Sequence, residues 1–143
     1  MATDAGLVMP QLPEPLAASS APQPQGHYSM AVRCDGLVYV SGQLGVRPDG
    51  SHTTDLPFEE QARQALRNLL AVLADADLTP RHLVKVTAYI AGVAHWPAFN
   101  AIYAEMMGEW RPARSVVPVP ELHFGYLVEV DAVAADSLGA TSL

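Results

Sequence analysis

The chain's hydrophobic pattern predicts an α+β fold, one mixed β-sheet with two helices packed on one face. Three observations predict it. First, two segments of helical period stand among segments of strand period, in the order strand, strand, helix, strand, helix, strand, strand. Second, Asp35-Gly36 sits between the first two strand-like runs, and that pair tolerates the positive φ a tight hairpin requires. Third, in the strand-like run 126–134, Tyr126, Val128, Val130, Ala132 and Ala134 make one apolar side, and Glu129 and Asp131 share the other with Leu127 and Val133.

The elements follow in chain order. Residues 1–25 are rich in proline (Pro10, Pro13, Pro15, Pro22, Pro24), which blocks helix and removes ladder donors, so an irregular arm is expected there, mobile or laid along the surface. A single domain is expected over 26–135. Its first strands are 28–33 and 37–41, with Gly42 at the end of the second and a turn at Pro48-Asp49-Gly50. Phe58, Ala62, Ala65, Leu66, Leu69, Leu73 and Ala76 recur at three- and four-residue spacing, which predicts an amphipathic helix over 56–76 with Asp55 as its cap. Glu59 and Glu60 suit the positive end of that helix. Val84, Val86, Ala88 and Ile90 form one face of a strand over 82–90. A second helix is predicted over 96–110, with Pro97 in its first turn and Phe99, Ile102, Tyr103 and Met106 on its inner stripe. Strands 113–119 and 126–135 close the domain, and residues 136–143 read as a frayed tail. One sheet face is left half apolar, which predicts burial against other copies in a closed oligomer.

Composition narrows the function. The chain has 143 residues, half of them hydrophobic, enough for a core of its own. Its net charge is −7 with eight scattered Lys and Arg, an acidic surface that repels phosphate, so no nucleic-acid partner is expected. The one cysteine, Cys34, allows no internal disulfide. The first basic residue is Arg33, which leaves no charged region for a signal peptide, and no apolar run reaches the roughly 18 residues of a membrane helix. A soluble, cytoplasmic protein with no membrane partner is the expectation.

Much chemistry is missing from the pattern. The histidines at 27, 52, 82, 95 and 123 form no metal-ligand cluster, and neither a phosphate-binding glycine loop nor a Gly-x-Ser-x-Gly elbow occurs. Ser41 lacks a nucleophile's surroundings, and Cys34 reads as a packing or turn residue. What remains is Arg114 with Glu129, and the polar candidates Tyr28, Asn100 and Tyr103. Two carboxylates on a mostly apolar strand face need a reason. Arg114 could pair with them structurally. Alternatively it could bind a substrate carboxylate through its planar fork while Glu129, its pKa raised by apolar surroundings, moves protons. Anchor plus acid/base suffices for adding water to a small, already reactive carboxylic acid.

From about Gly26 to Ala134 the chain resembles the Rid family of reactive-intermediate deaminases, also called the YjgF family. The matching pieces, in order, are Gly26-His27-Tyr28, Val40-Ser41-Gly42-Gln43, the helix 61–68, Val84-Lys85-Val86-Thr87, Phe99-Asn100-Ala101-Ile102-Tyr103, Pro112-Ala113-Arg114-Ser115 and Leu127-Val128-Glu129-Val130. The resemblance implies a chorismate-mutase-like fold and a homotrimer with clefts between subunits. It implies hydrolysis of enamines or imines, such as 2-aminoacrylate or 2-iminopropanoate, to a 2-keto acid and ammonia, without metal or organic cofactor. It further implies that Arg114 clamps the substrate carboxylate and that the backbone of Gly42 and Val116 lines the pocket. Glu129 would orient or activate water, and Tyr28 and Asn100 would shape the site. Val116 stands where many members carry cysteine, and His27 where proline is frequent. The competing expectations are a non-catalytic trimer that binds small carboxylates or regulates a partner enzyme, and an endoribonuclease.

Overall fold

The structure, a computed structural model, describes residues 12–136. It contains six strands, β1 (Glu14–Leu16), β2 (Ala31–Cys34), β3 (Leu37–Leu44), β4 (Leu83–Ile90), β5 (Ala113–Pro118) and β6 (Val128–Ala135), and two helices, α1 (Phe58–Asp75) and α2 (Trp96–Met107). The strands form one sheet in the order β1-β2-β3-β6-β4-β5. All neighbours are antiparallel except β4 and β5, so the sheet is mixed and β6 lies at its centre between β3 and β4. The predicted α+β architecture is the one found.

The β2–β3 hairpin turns on Asp35 (φ 50°) and Gly36 (φ 78°), the left-handed pair that Asp-Gly favours. On α1 the residues Phe58, Ala62, Ala65, Leu66, Leu69 and Leu73 are buried, as their spacing predicts. They pack against Val38, Val40, Val86, Ala88, Ile90, Val128, Val130, Ala132 and Ala134, the inward side of β3, β4 and β6. Burying such a stripe against a sheet supplies most of the helix's stability. Phe99, Ile102, Tyr103 and Met107 carry α2 into the same core, with Met107 buried more fully than Met106.

Several boundaries differ from expectation. The N-cap of α1 is Pro57, with no side-chain cap bond, so Asp55 does not cap it. Helix α2 stops at Met107 because Gly108 takes a positive φ of 70°, and Trp110 instead donates its indole N–H to the Leu83 carbonyl. Tyr28 precedes the strand it was expected to begin.

Within the stretch expected to be irregular, Glu14–Leu16 pairs antiparallel with β2, proline being tolerated on such an edge. Ala18 and Ala21 are buried in the core, and Ser20 bonds Asp75 at the end of α1 through both its N–H and its hydroxyl, each at 3.0 Å. Packed chain therefore begins upstream of Gly26. At the other end Asp136, expected to fray, is buried and ion-paired with Arg33, which also reaches Glu14. Residues 137–143 of the expected tail and 1–11 of the arm lie outside the described residues. Among the described residues no helix is long and apolar enough to cross a membrane.

Candidate functional site

Glu129 is the second residue of the central strand β6, on the sheet face away from the helices. Its neighbours Val128 and Val130 are buried under α1. The opposing strand β3 makes room for it. Between Val40 and Gln43 three residue steps on β3 face two on β6, Ala132 to Val130, which inserts a bulge at Ser41-Gly42. A Cβ on Gly42 would stand 2.6 Å from Glu129 Oε2 and 3.0 Å from its Cδ. Only glycine leaves that carboxylate its space.

The bulge is held from both sides. Ser41 donates its hydroxyl to the Ser29 carbonyl at 2.6 Å, and buried Gln43 donates its amide to the Ser41 carbonyl at 3.0 Å. Two buried polar residues of α1 fix the flanking backbone. Gln61 Oε1 accepts from the Leu127 N–H at 2.9 Å, two residues before Glu129, and Asn68 Nδ2 donates to the carbonyls of Leu44 and Val46. A helical pattern of apolar residues gives no notice of either, since both read as surface positions. Their signal is only that each falls on the buried stripe: 61 precedes 62, and 68 lies between 66 and 69.

A cleft of about 820 Å³ opens over this carboxylate. Tyr28, Gly42 and Glu129 line it, together with His52, His123 and Phe124. Burial in low-dielectric surroundings raises the pKa of Glu129, the charge of Asp131 raises it further, and His123 opposes them. The carboxyl is therefore poised to hold a proton at higher pH than an ordinary glutamate, as the sequence predicts.

Arg114, Val116 and Asn100 are not in this cleft. Arg114 is the second residue of the edge strand β5, opposite Val86, and Val86 faces Ala132 of β6. Paired residues share a sheet face, so Arg114 is on the helix-covered side and Glu129, opposite Tyr89 on β6, is on the other. The expected structural pairing of Arg114 with Glu129 or Asp131 therefore does not occur within one chain: the register of β5 turns the two side chains to opposite faces. Arg114 lies instead over the Tyr103 ring, 4.8 Å from its centroid. Val116, opposite Ala88, turns the same way as Arg114 and packs partly against the core. Asn100 is one helical turn before Tyr103 on α2. Tyr103 is 7% exposed, and its hydroxyl has no hydrogen-bond partner among the described residues. Burial pushes its pKa up to about 12 against the opposing effect of Arg114.

The site residues thus form two groups on two faces, an acid with its glycine and Tyr28 in one, and a stacked guanidinium at a sheet edge in the other. The first can activate water; the second can hold an anion.

Comparison with known proteins gives the lineage. The family model described as Endoribonuclease L-PSP matches residues 18–136. A RutC family protein of Pyrococcus horikoshii is 32% identical over 121 residues, 85% of this chain and 96% of its own. The 2-iminobutanoate/2-iminopropanoate deaminase of Dermatophagoides farinae is 35% identical over 113 residues, 79% of this chain and 88% of its own. The crystal structure of YyfA from Yersinia pestis, a protein of unknown function in the Rid family, superposes with a TM-score of 0.82 at 36% identity, covering 87% of this chain and 99% of that one. The chain belongs to the Endoribonuclease L-PSP family, the family of the RutC and Rid proteins.

Proposed function

We propose that the protein hydrolyses reactive 2-imino acids and their enamine tautomers, of the 2-aminoacrylate/2-iminopropanoate kind, to 2-keto acids and ammonia. The observation that carries this is the desolvated Glu129 carboxyl at the base of a cleft, beside a glycine bulge shaped to admit it. The deaminase named among the relatives supports the same chemistry.

The reaction asks little of the protein. A protonated imine is already electrophilic. Glu129 takes a proton from water as the water oxygen bonds to the imine carbon. It returns that proton to the nitrogen of the resulting carbinolamine. The C–N bond then breaks, the hydroxyl proton leaves through the same carboxylate, and ammonia departs. The carboxyl gives that last proton to the departing ammonia, so protonated imine plus water gives keto acid plus ammonium, with Glu129 unchanged. A carboxyl whose pKa is raised holds and releases the proton more evenly than an ordinary glutamate, which suits it to both directions. Arg114 clamps the substrate carboxylate and Tyr28 and Asn100 shape the site, with the backbone of Gly42 and Val116 against the substrate.

Since Arg114 and Glu129 face opposite sides of their own sheet, the complete site forms where the β5 edge of one copy meets the cleft of another, in a homotrimer. The open face supports association: Tyr39, Tyr89, Val117 and Val133 present apolar surface there. The acidic net charge speaks against cleavage of RNA.

The test generates 2-iminopropanoate with an amino-acid oxidase and follows its loss. Wild type is expected to accelerate decay, and Arg114→Ala to lose about a hundred-fold in kcat/KM, the scale of one buried charge-assisted anchor. A folded wild type that matches buffer would leave a carboxylate-binding role without turnover.

A further inference from the structure

The mechanism uses one wall of the cleft and leaves the other unexplained. That other wall is made of His52, His123 and Phe124, which lie against one another. The ring centroids of His123 and Phe124 are 3.8 Å apart, and those of His52 and Phe124 are 4.7 Å apart. All three line the same cleft as Glu129. They come from two loops far apart in sequence, one after β3 and one before β6.

Phe124 is held unusually. Its backbone is left-handed, φ 61° and ψ 9°, a region bulky side chains avoid. Gly125 continues the turn with φ 79°. Core packing does not explain this strain, because Phe124 is 52% exposed. The strain holds an aromatic face at the cleft and not in the core.

His52 is also fixed. Its Nδ1 is 2.8 Å from the Tyr126 hydroxyl, and that hydroxyl accepts the Thr53 N–H at 3.2 Å. Tyr126 is 1% exposed. The contact with that buried hydroxyl fixes the orientation of the His52 ring, so a flat face stands beside Phe124 at the cleft.

We infer that this aromatic wall selects the substrate's side chain, and that the chain prefers 2-imino acids bearing an aromatic ring, of the 2-imino-3-phenylpropanoate kind, over the three- and four-carbon ones. The inference rests on the deaminase proposal and adds the substrate class to it. With the acid end held by Arg114 and the imine carbon at Glu129, a planar side chain stacks on Phe124 and His52. A methyl group has no ring to stack there. Bond making and breaking are unchanged: water adds to the C=N carbon and ammonia leaves.

The experiment generates the imines of phenylalanine and alanine in situ with an amino-acid oxidase and compares kcat/KM for the two. Wild type is expected to favour the aromatic imine by about ten-fold or more. Phe124→Ala is expected to reduce that preference about five-fold or more. Phe124→Asn guards against misfolding, because asparagine suits the left-handed backbone. Its melting temperature should equal or exceed that of wild type while the preference falls as in Phe124→Ala. A wild type that handles the alanine-derived imine as well as or better than the aromatic one overturns the inference and leaves the deaminase proposal standing. So does a preference that survives both substitutions. If neither imine decays faster than in buffer, the deaminase proposal itself fails and the inference falls with it.

Discussion

Arg114 and Glu129 occupy opposite faces of one sheet. The register settles it: Arg114 is opposite Val86 and Val86 is opposite Ala132, all toward the helices, whereas Glu129 is opposite Tyr89 and turns away. Neither side chain can cross the sheet to the other. An anion held at Arg114 and a water activated at Glu129 meet only if a second copy supplies one of them. In the proposed homotrimer, the assembly that buries the open sheet face also closes the site.

Gly42→Ala should separate activity from stability. The added methyl would stand 2.6 Å from Glu129 Oε2, and the atom that must yield is the end of a flexible side chain. The fold loses about 1 kcal/mol or less, whereas a carboxylate displaced by about an ångström loses about a hundred-fold in kcat/KM. Thermal melting and imine decay, measured on the same preparation, check both halves.

The pH dependence follows from the direction of the Glu129 shift. Burial first, then Asp131, hold its pKa above the ordinary 4.5. The base form is therefore lost below a pH higher than that of a free glutamate, and the acid limb of kcat/KM should lie above the ordinary carboxylate range. Asp131→Asn should move that limb down, and His123→Gln should move it up. Stability runs the other way. The folded state holds the proton more tightly than the unfolded one, so the contribution of Glu129 is fully present below the unfolded pKa and is lost as pH rises through the folded pKa. Glu129→Gln, which carries no charge to desolvate, should melt higher than wild type near neutral pH and show little difference in acid.

How much of this was legible in the sequence depends on how local each signal is. The Asp35-Gly36 hairpin and the stripe from Phe58 to Leu73 are local, and their period names the element. Arg114 and Glu129 also stand out locally, as charges on apolar strands. Whether they share a face depends on how β5 and β6 each align with β4, a contact between distant segments that neither strand's pattern contains. The edge strand Glu14–Leu16 was hidden by Pro15, whose missing donor costs nothing on an edge. Gln61 and Asn68 were hidden by their polarity, although the backbone groups they satisfy at Leu127, Leu44 and Val46 make burial favourable. The wall of His52, His123 and Phe124 joins two loops and has no periodic trace.

Tyr103 offers its ring and its hydroxyl to different experiments. The ring supports the Arg114 guanidinium from 4.8 Å, so Tyr103→Leu should raise KM about five-fold, the scale of one such contact. Among the described residues the buried hydroxyl has no hydrogen-bond partner, so Tyr103→Phe should leave KM unchanged and the melting temperature equal or higher. If phenylalanine weakens KM as much as leucine, the hydroxyl and not the ring supports the anchor.

Subunit complementation tests the shared site most directly. Arg114→Ala and Glu129→Gln are purified separately, unfolded together in equal amounts and refolded as a mixture. Each variant alone should have negligible activity on its imine substrate. In the mixture about a quarter of the interfaces pair an intact Arg114 with an intact Glu129 from the neighbouring copy, so about a quarter of wild-type activity should return. A folded, mixed oligomer whose activity stays at the level of its parents would contradict a site built from two copies.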